Sequence, residues 1–285
     1  MNKEKIAILV DSCTDVPKDV VKKYGIYVVP LKIIYKDKVY TDGVDISSKE
    51  IYKNLHKETP STSLPSGEEI MVMLQKIKDD GYEKVLAITI SSGLSGTHNF
   101  IKLLGEEFEG LEFCTIDTKS IGIGAGMTAI LAATNLASGM KWDELCKATL
   151  DSVKKTQVFF CVSTLEYLRK GGRIGLVASS IGTLLTLKPI ISCNEDGIYY
   201  NVAKTIGRKK SLQKVVEIAE EYASRGIEYN VAIANGNASE EAKEIKKILK
   251  KSLTGCKGIY EGQISPALVV HTGPGLVGVG IQLLK

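Results

Sequence analysis

The sequence predicts an α/β fold of two domains, the first built on a doubly wound, mainly parallel sheet. Three observations carry this. Apolar, β-branched runs at Ile6–Val10, Val85–Ile90 and Glu112–Ile116 read as buried strands. Each run ends on a polar turn, and each turn leads into a helical pattern, which is the alternation of a layered α/β sandwich. The 285 residues, 44% of them hydrophobic, are enough to bury a full core. The expected division is an N-terminal domain over residues 1–157 and a C-terminal α/β domain over 158–285.

Taken in order, Lys5–Val10 is a strand ending at Asp11-Ser12, and Asp15-Val16-Pro17 opens a helix to about Tyr24. Ile26–Pro30, Leu31–Tyr35 and Val39–Tyr40 read as short strands, with Lys36-Asp37-Lys38 as a hairpin turn. A short helix follows at about Ser48–His56. Thr59–Gly67 reads as a compact polar loop pinned by Pro60 and Pro65, with Ser66 capping a helix to about Asp79. Its Ser61, Thr62 and Ser63 are either plain turn residues or donors held rigidly for a ligand.

Val85–Ile90 is the central strand, and Ser91-Ser92-Gly93-Leu94 turns the chain into a helix starting near Ser95. Free N–H groups and the positive end of the helix dipole gather at Ser95, Gly96 and Thr97, which suits a carboxylate or phosphate. An ordinary capped joint is the plain alternative. Asp117-Thr118 ends the next strand, and two helices then run to about Lys155. The first, within Ser120–Met140, is uncharged over 21 residues, but four glycines and several hydroxyls make it a buried helix instead of a membrane span.

In the second half, Val158–Val162 is a strand. Leu165–Arg173 is a helix ended by Gly171-Gly172 as a left-handed C-cap, and Ile174–Leu187 is an uncharged helix stopped by Lys188-Pro189. Ile190–Cys193 and Ile198–Val202 form a hairpin about Glu195-Asp196-Gly197. A basic helix starts near Arg208, a strand lies at Asn230–Ala234, a charged helix at Glu240–Lys251, and strands at Gly258–Ile264 and Val277–Leu283. Between the last two, His271-Thr272-Gly273-Pro274-Gly275 is a tight turn that presents an imidazole.

Several function classes are excluded or weak. A net charge of +4 without basic runs interleaved with aromatics does not fit nucleic acid. Six cysteines without metal-ligand spacing read as core residues of a reducing cytosol, and three scattered histidines do not suggest a metal site. Gly93-Leu94-Ser95-Gly96-Thr97 begins like a nucleophile elbow, but Thr97 replaces the last glycine, and none of His56, His98 and His271 is placed against Ser95 by any sequence rule. Gly122-Ile123-Gly124-Ala125-Gly126-Met127 approaches a dinucleotide fingerprint and loses its third glycine to Met127.

Together these pieces resemble the bacterial DegV family of fatty-acid-binding proteins. The marks run the length of the chain: Val10-Asp11-Ser12, Thr62-Ser63 followed by Pro65-Ser66, Ser91-Ser92 with Leu94-Ser95-Gly96-Thr97, and Asp117-Thr118. Leu165 to Arg173 with its GGR ending, Lys188-Pro189-Ile190, Asp196-Gly197 and His271-Thr272-Gly273-Pro274-Gly275 complete them. The resemblance implies a long-chain fatty acid such as palmitate buried in a tunnel between the two domains, with its carboxylate held by Thr62 and Ser95. It places His271 with them at the carboxylate end, and Arg173, Ser63 and Gly96 as secondary or phosphate-binding positions. It further implies a cytoplasmic carrier with no cofactor and no stable membrane insertion, which offers the acid to an ATP-dependent fatty acid kinase for acyl-phosphate formation. A plain alternative for Arg173 is that it caps its own helix. Ile206 stands where the family's basic segment usually has arginine, which bears on docking to the kinase. The competing readings are a serine hydrolase of acyl esters using Ser95 and a nucleotide-sensing regulator.

Overall fold

The structure, a computed structural model, describes residues 2–178 and 187–285. Strand β1 (Ile6–Asp11) lies between β2 (Tyr27–Val29) and β6 (Lys84–Thr89), and β7 (Glu112–Asp117) completes a four-stranded sheet, all parallel, in the order β2-β1-β6-β7. Successive side chains of a strand point to opposite faces. Accordingly Ile6, Ile8, Val10, Leu86 and Ile88 join one core cluster, and Ala7, Leu9, Val85 and Ala87 join another. Helices α3 (Gly67–Asp79) and α4 (Thr97–Glu107) cover the second face with Ile70, Leu74, Ile77 and Ile101. The first face meets α5 (Ile123–Ala137).

The second half forms a six-stranded sheet from β8 (Thr156–Cys161), β9 (Leu187–Cys193), β10 (Tyr199–Ile206), β11 (Tyr229–Gly236), β12 (Cys256–Gln263) and β13 (Leu276–Leu283). Its order is β10-β9-β8-β13-β11-β12, and every pairing is antiparallel except β11 with β12. Helices α8 (Arg208–Ala223) and α9 (Ser239–Ser252) pack on the outer face against Val277, Val279 and Ile281. The inner face is deliberately shallow, with Ala232, Ala234, Gly278 and Gly280 alternating between the larger residues. A methyl on Gly280 would stand 2.9 Å from the sulfur of Met127, so α5 can press close only because that position is bare.

Helix α5 therefore packs on both sheets at once. This explains the long uncharged stretch, since a helix buried on all sides is apolar all round. Among the described residues no helix is long and apolar enough to cross a membrane. The glycine pattern that imitates a nucleotide fingerprint is a packing device: a methyl on Gly124 would lie 2.9 Å from Val158 Cβ, and one on Gly126 would collide with the Thr14 carbonyl.

Four local readings need correction. Thr59–Gly67 is not loop throughout, because Ser61–Ser63 forms β5. Together with β3 (Lys32–Ile34) and β4 (Val39–Thr41) it makes a small antiparallel sheet in which Thr62 stands opposite Ile33. The free edge of β3 satisfies the polar segment's backbone groups, a tertiary gain that local composition does not reveal. Of the helix expected over Ile174–Leu187, residues 179–186 lie outside the described residues. Gly175 takes φ +54 and turns the chain, and Leu187 already belongs to β9, opposite Ile206. Pro189 lies inside β9, opposite Lys204 of β10, and β8 pairs with β9 at Phe160 and Ile191. The left-handed residue after α7 (Glu166–Lys170) is Gly172, at φ +66, whereas Gly171 stays at φ −79. Finally, His271 and Thr272 do not belong to the tight turn but end α10 (Pro266–Thr272), with Pro266 in its first turn, where a missing N–H is harmless.

Candidate functional site

The site grows from the carboxyl ends of β1 and β6. Asp11, the last residue of β1, accepts the Cys13 amide at 2.9 Å and the Ile90 amide at 2.8 Å, which ties the two strand ends together. Past β6, Ser91 donates its hydroxyl to the Gly197 carbonyl at 2.9 Å and accepts the Gly93 amide at 3.0 Å. The β9–β10 turn is thus clamped onto the first sheet's ligand edge. Ser95 lies one residue outside the cap of α4, which is Gly96. Its hydroxyl accepts the Thr97 amide at 3.3 Å and shares a 2.8 Å bond with the Thr97 hydroxyl.

From the other side comes α10. Its N-terminal end is fastened by two acids of the first half: Asp42 accepts the Ala267 amide at 2.9 Å, and Asp15 accepts the Ser265 amide at 3.0 Å. Asp42 is held in turn by the Ser12 hydroxyl at 2.6 Å. His271 stands in the last turn of α10, not in the glycine–proline turn itself, and its Nε2 lies 2.7 Å from Thr62 Oγ1. Gly171 abuts the same ring, for any Cβ there would collide with Nδ1. Two residues on, Arg173 donates from Nη1 to the Gly171 carbonyl at 2.9 Å, so it caps its own helix while standing beside the imidazole.

Thr62, Ser95, Arg173 and His271, drawn from four distant stretches of chain, line one cavity of about 420 Å³. Ser63 and Gly96 do not line it: the Ser63 hydroxyl turns to the Leu64 carbonyl at 3.2 Å, and Gly96 is exposed. A second cavity of about 360 Å³ shares Ile121, Tyr199, Leu268 and Thr272 with the first and continues past Phe160, Ala234 and Gly278. The two together form an amphipathic recess, polar at one end and apolar beyond. Burial, reinforced by the Arg173 charge, pushes the His271 imidazole down to about 4. The ring is therefore neutral near pH 7, and Arg173 is the one charged side chain on the outer cavity's wall among the described residues. An anionic group suits that end. No imidazole bonds to Ser95: His271 is taken by Thr62, and His98 Nδ1 lies 3.0 Å from Thr89 Oγ1.

The family model described as "Uncharacterised protein, DegV family" matches residues 5–283 of this chain. The chain belongs to the DegV family. A DegV domain-containing protein of Clostridium perfringens is 43% identical over 282 residues, spanning 98% of this chain and 99% of its own length. Another, from Clostridium acetobutylicum, is 41% identical over 278 residues, spanning 98% and 99%. Among solved structures, a DegV family protein from Thermus thermophilus, described for its fatty acid binding, superposes with a TM-score of 0.92 at 26% identity and full coverage of both chains. A stearic-acid-binding protein from Eubacterium ventriosum gives 0.88 at 28% identity, covering 98% of each chain.

Beyond the residues legible in the sequence, the DegV fold brings Cys13, Tyr199, Leu268 and Thr272 to the recess. Leu268, His271 and Thr272 carry a helical i, i+3, i+4 spacing that was visible between Pro266 and Pro274. Tyr199 carries no such signal, because its place depends on the hairpin docking against Ser91.

The acids behind the recess set a pH dependence. Burial raises Asp11 to about 7 and Asp42 to about 6, and pushes Asp15 well up. A carboxyl raised on folding contributes stability that is full below its unfolded value and is lost as pH rises through its folded value. The lowered imidazoles of His98 and His271 act oppositely, but only below the unfolded value of about 6.5. From about pH 6.5 to 8 the carboxyls act unopposed, so the urea midpoint should fall across that interval. A midpoint that climbs instead would mean that the amide donors on Asp11 and Asp42 outweigh their burial.

Proposed function

We propose that this chain is a non-enzymatic carrier of one long-chain fatty acid, which it holds for an ATP-dependent fatty acid kinase in the cytoplasm. The observation that carries the reading is the recess itself: the Thr62 and Ser95 hydroxyls, a neutral imidazole and the Arg173 cation at one end, apolar walls at the other. Thr62 and Ser95 hold the carboxylate, His271 supports Thr62, and Ser63 and Gly96 serve as chain neighbours that fix those two hydroxyls. The acyl tail lies along Phe160, Ala234 and Gly278. Each buried methylene contributes about 0.8 kcal/mol, so a long chain binds tightly without any covalent chemistry. The relatives from Thermus thermophilus and Eubacterium ventriosum, described as binding fatty acid and stearic acid, support the same ligand class.

Arg173 has a second duty in this reading. An acyl-phosphate carries more negative charge than the acid, and a guanidinium offers several donors in a fixed plane. Ile206, 62% exposed at the end of β10, lies on the surface available for docking the kinase. The experiment is native mass spectrometry of the purified protein, followed by incubation with an acyl kinase and ATP. An added mass of one long-chain acid is expected, and Arg173→Ala should lower acyl-phosphate yield far more than acid binding. A protein that copurifies bare and ignores added acid would sink the carrier, and equal losses of binding and phosphorylation in Arg173→Ala would sink the second duty.

A further inference from the structure

Two of the six cysteines are neighbours at the edge of the first sheet. Cys114 is on β7, the edge strand, and Cys146 is on α6 (Trp142–Val153), which packs against that strand. The two elements are aligned by a polar contact, in which Trp142 donates its indole N–H to the Glu112 carboxylate. Four residues along a helix advance about 6 Å and two along a strand about 6.6 Å, each returning to the same face. One step on from Trp142 and Glu112, the same alignment brings Cys146 beside Cys114. There the Cys146 thiol donates to the Cys114 sulfur. Both side chains pack on the core of that face, and both residues keep partial exposure to solvent.

The other four cysteines sit differently. Cys13, Cys161 and Cys193 are buried, and burial pushes their thiols up. Cys256 donates to the Gly258 carbonyl at 3.3 Å, and burial raises it too. At the β7–α6 pair the donated S–H holds the Cys114 thiol below its ordinary value and Cys146 above it. The thiolate that forms first is thus at Cys114, with a second thiol already within reach of its sulfur. An accessible thiolate next to a resolving thiol is the arrangement that oxidants select.

We propose that Cys114 and Cys146 form a peroxide-sensitive modification site, which closes to a disulfide and ties α6 to the edge of the first sheet. The Cys114 thiolate attacks one oxygen of hydrogen peroxide, and the O–O bond breaks. The departing oxygen takes up the proton released by Cys114 and leaves as water, with a sulfenic acid on Cys114. The Cys146 sulfur then attacks that sulfur, the S–S bond forms and the S–O bond breaks. The expelled hydroxide takes the Cys146 proton and leaves as a second water. Two thiols have lost two electrons, and one peroxide has become two waters. Neither cysteine lines the recess, so the site stands apart from the carrier reading.

The test exposes the reduced full-length chain to hydrogen peroxide sufficient to oxidise free cysteine in the same tube. The chain is then unfolded in an alkylating reagent and its peptides are mapped. Four of the six thiols should remain alkylatable, with residues 114 and 146 in one cross-linked peptide lighter by two hydrogen atoms. Dithiothreitol should restore all six. Cys146→Ser should abolish the cross-link and leave Cys114 as a sulfenic acid that dimedone captures. The wild-type map decides even where that variant fails to fold. Six alkylatable thiols after peroxide, or a cross-link through any other pair, would overturn the site. Wild-type Cys114 carried to sulfinic acid without a cross-link would overturn the part given to Cys146. Dimedone captured by Cys13, Cys161 or Cys193 as readily as by Cys114 in Cys146→Ser would overturn Cys114 as the thiol attacked first.

Discussion

Thr62→Ala should release a bound long-chain acid more readily than any other single truncation in the recess. A hydrogen bond to a charged group contributes about 1.5–3 kcal/mol, which is roughly ten- to hundredfold in affinity. Ser95→Ala removes one such bond. Thr62→Ala removes one and also strips His271 Nε2 of its 2.7 Å partner, on a ring whose Nδ1 already has none among the described residues. The order expected is therefore Thr62→Ala below Ser95→Ala below wild type, with Thr62→Ser restoring most of the loss. Titration calorimetry on delipidated protein, with extraction of copurifying lipid as a second readout, measures both. Two alanine variants that retain lipid as well as wild type would refute the head-group assignment, and an inverted order would refute the part given to His271.

The second large effect concerns stability. Gly126→Ala should destabilise the fold by about 1–3 kcal/mol or more, although alanine is the better helix former. The added methyl would collide with the Thr14 carbonyl, a backbone atom that cannot rotate away, in the middle of the helix that both sheets share. Gly262→Ala is the matched control, since nothing lies within 4 Å of a methyl there. Chemical denaturation should separate the two variants clearly. If Gly126→Ala unfolds at the wild-type midpoint, α5 does not seat as closely on the chain after β1 as described.

Legibility followed the range of the interactions. The continuous apolar runs of β1 and β6 were plain, because each strand is buried on both faces. The Ser66 cap was equally plain, and Glu69 completes it as a reciprocal box, whereas the cap of α4 falls on Gly96, one residue past Ser95. What escaped was set by partners far along the chain. Ser61–Ser63 becomes a strand only because β3 is there to receive it, and α10 holds together between two prolines because Asp15 and Asp42 fasten its start. Four of the residues singled out in the sequence converge on one recess, while Tyr199 joins them through contacts that no local pattern encodes.

The shared helix also restricts how anything enters. A recess between two lobes usually suggests jaws that part about a hinge. Here the jaws have a common wall, because α5 is packed on β1 and β6 on one side and on β8, β11 and β13 on the other. Swinging the sheets apart would drag that helix out of one of them and wet an apolar surface comparable to a core, a cost near that of global unfolding. On the proposed carrier reading, entry and exit then use small pieces: α10 slipping against its two acid fasteners, or the β9–β10 turn lifting from Ser91. The exchange rate of the proposed acid is accordingly a property of a few hydrogen bonds at the rim, while the shared helix stays put.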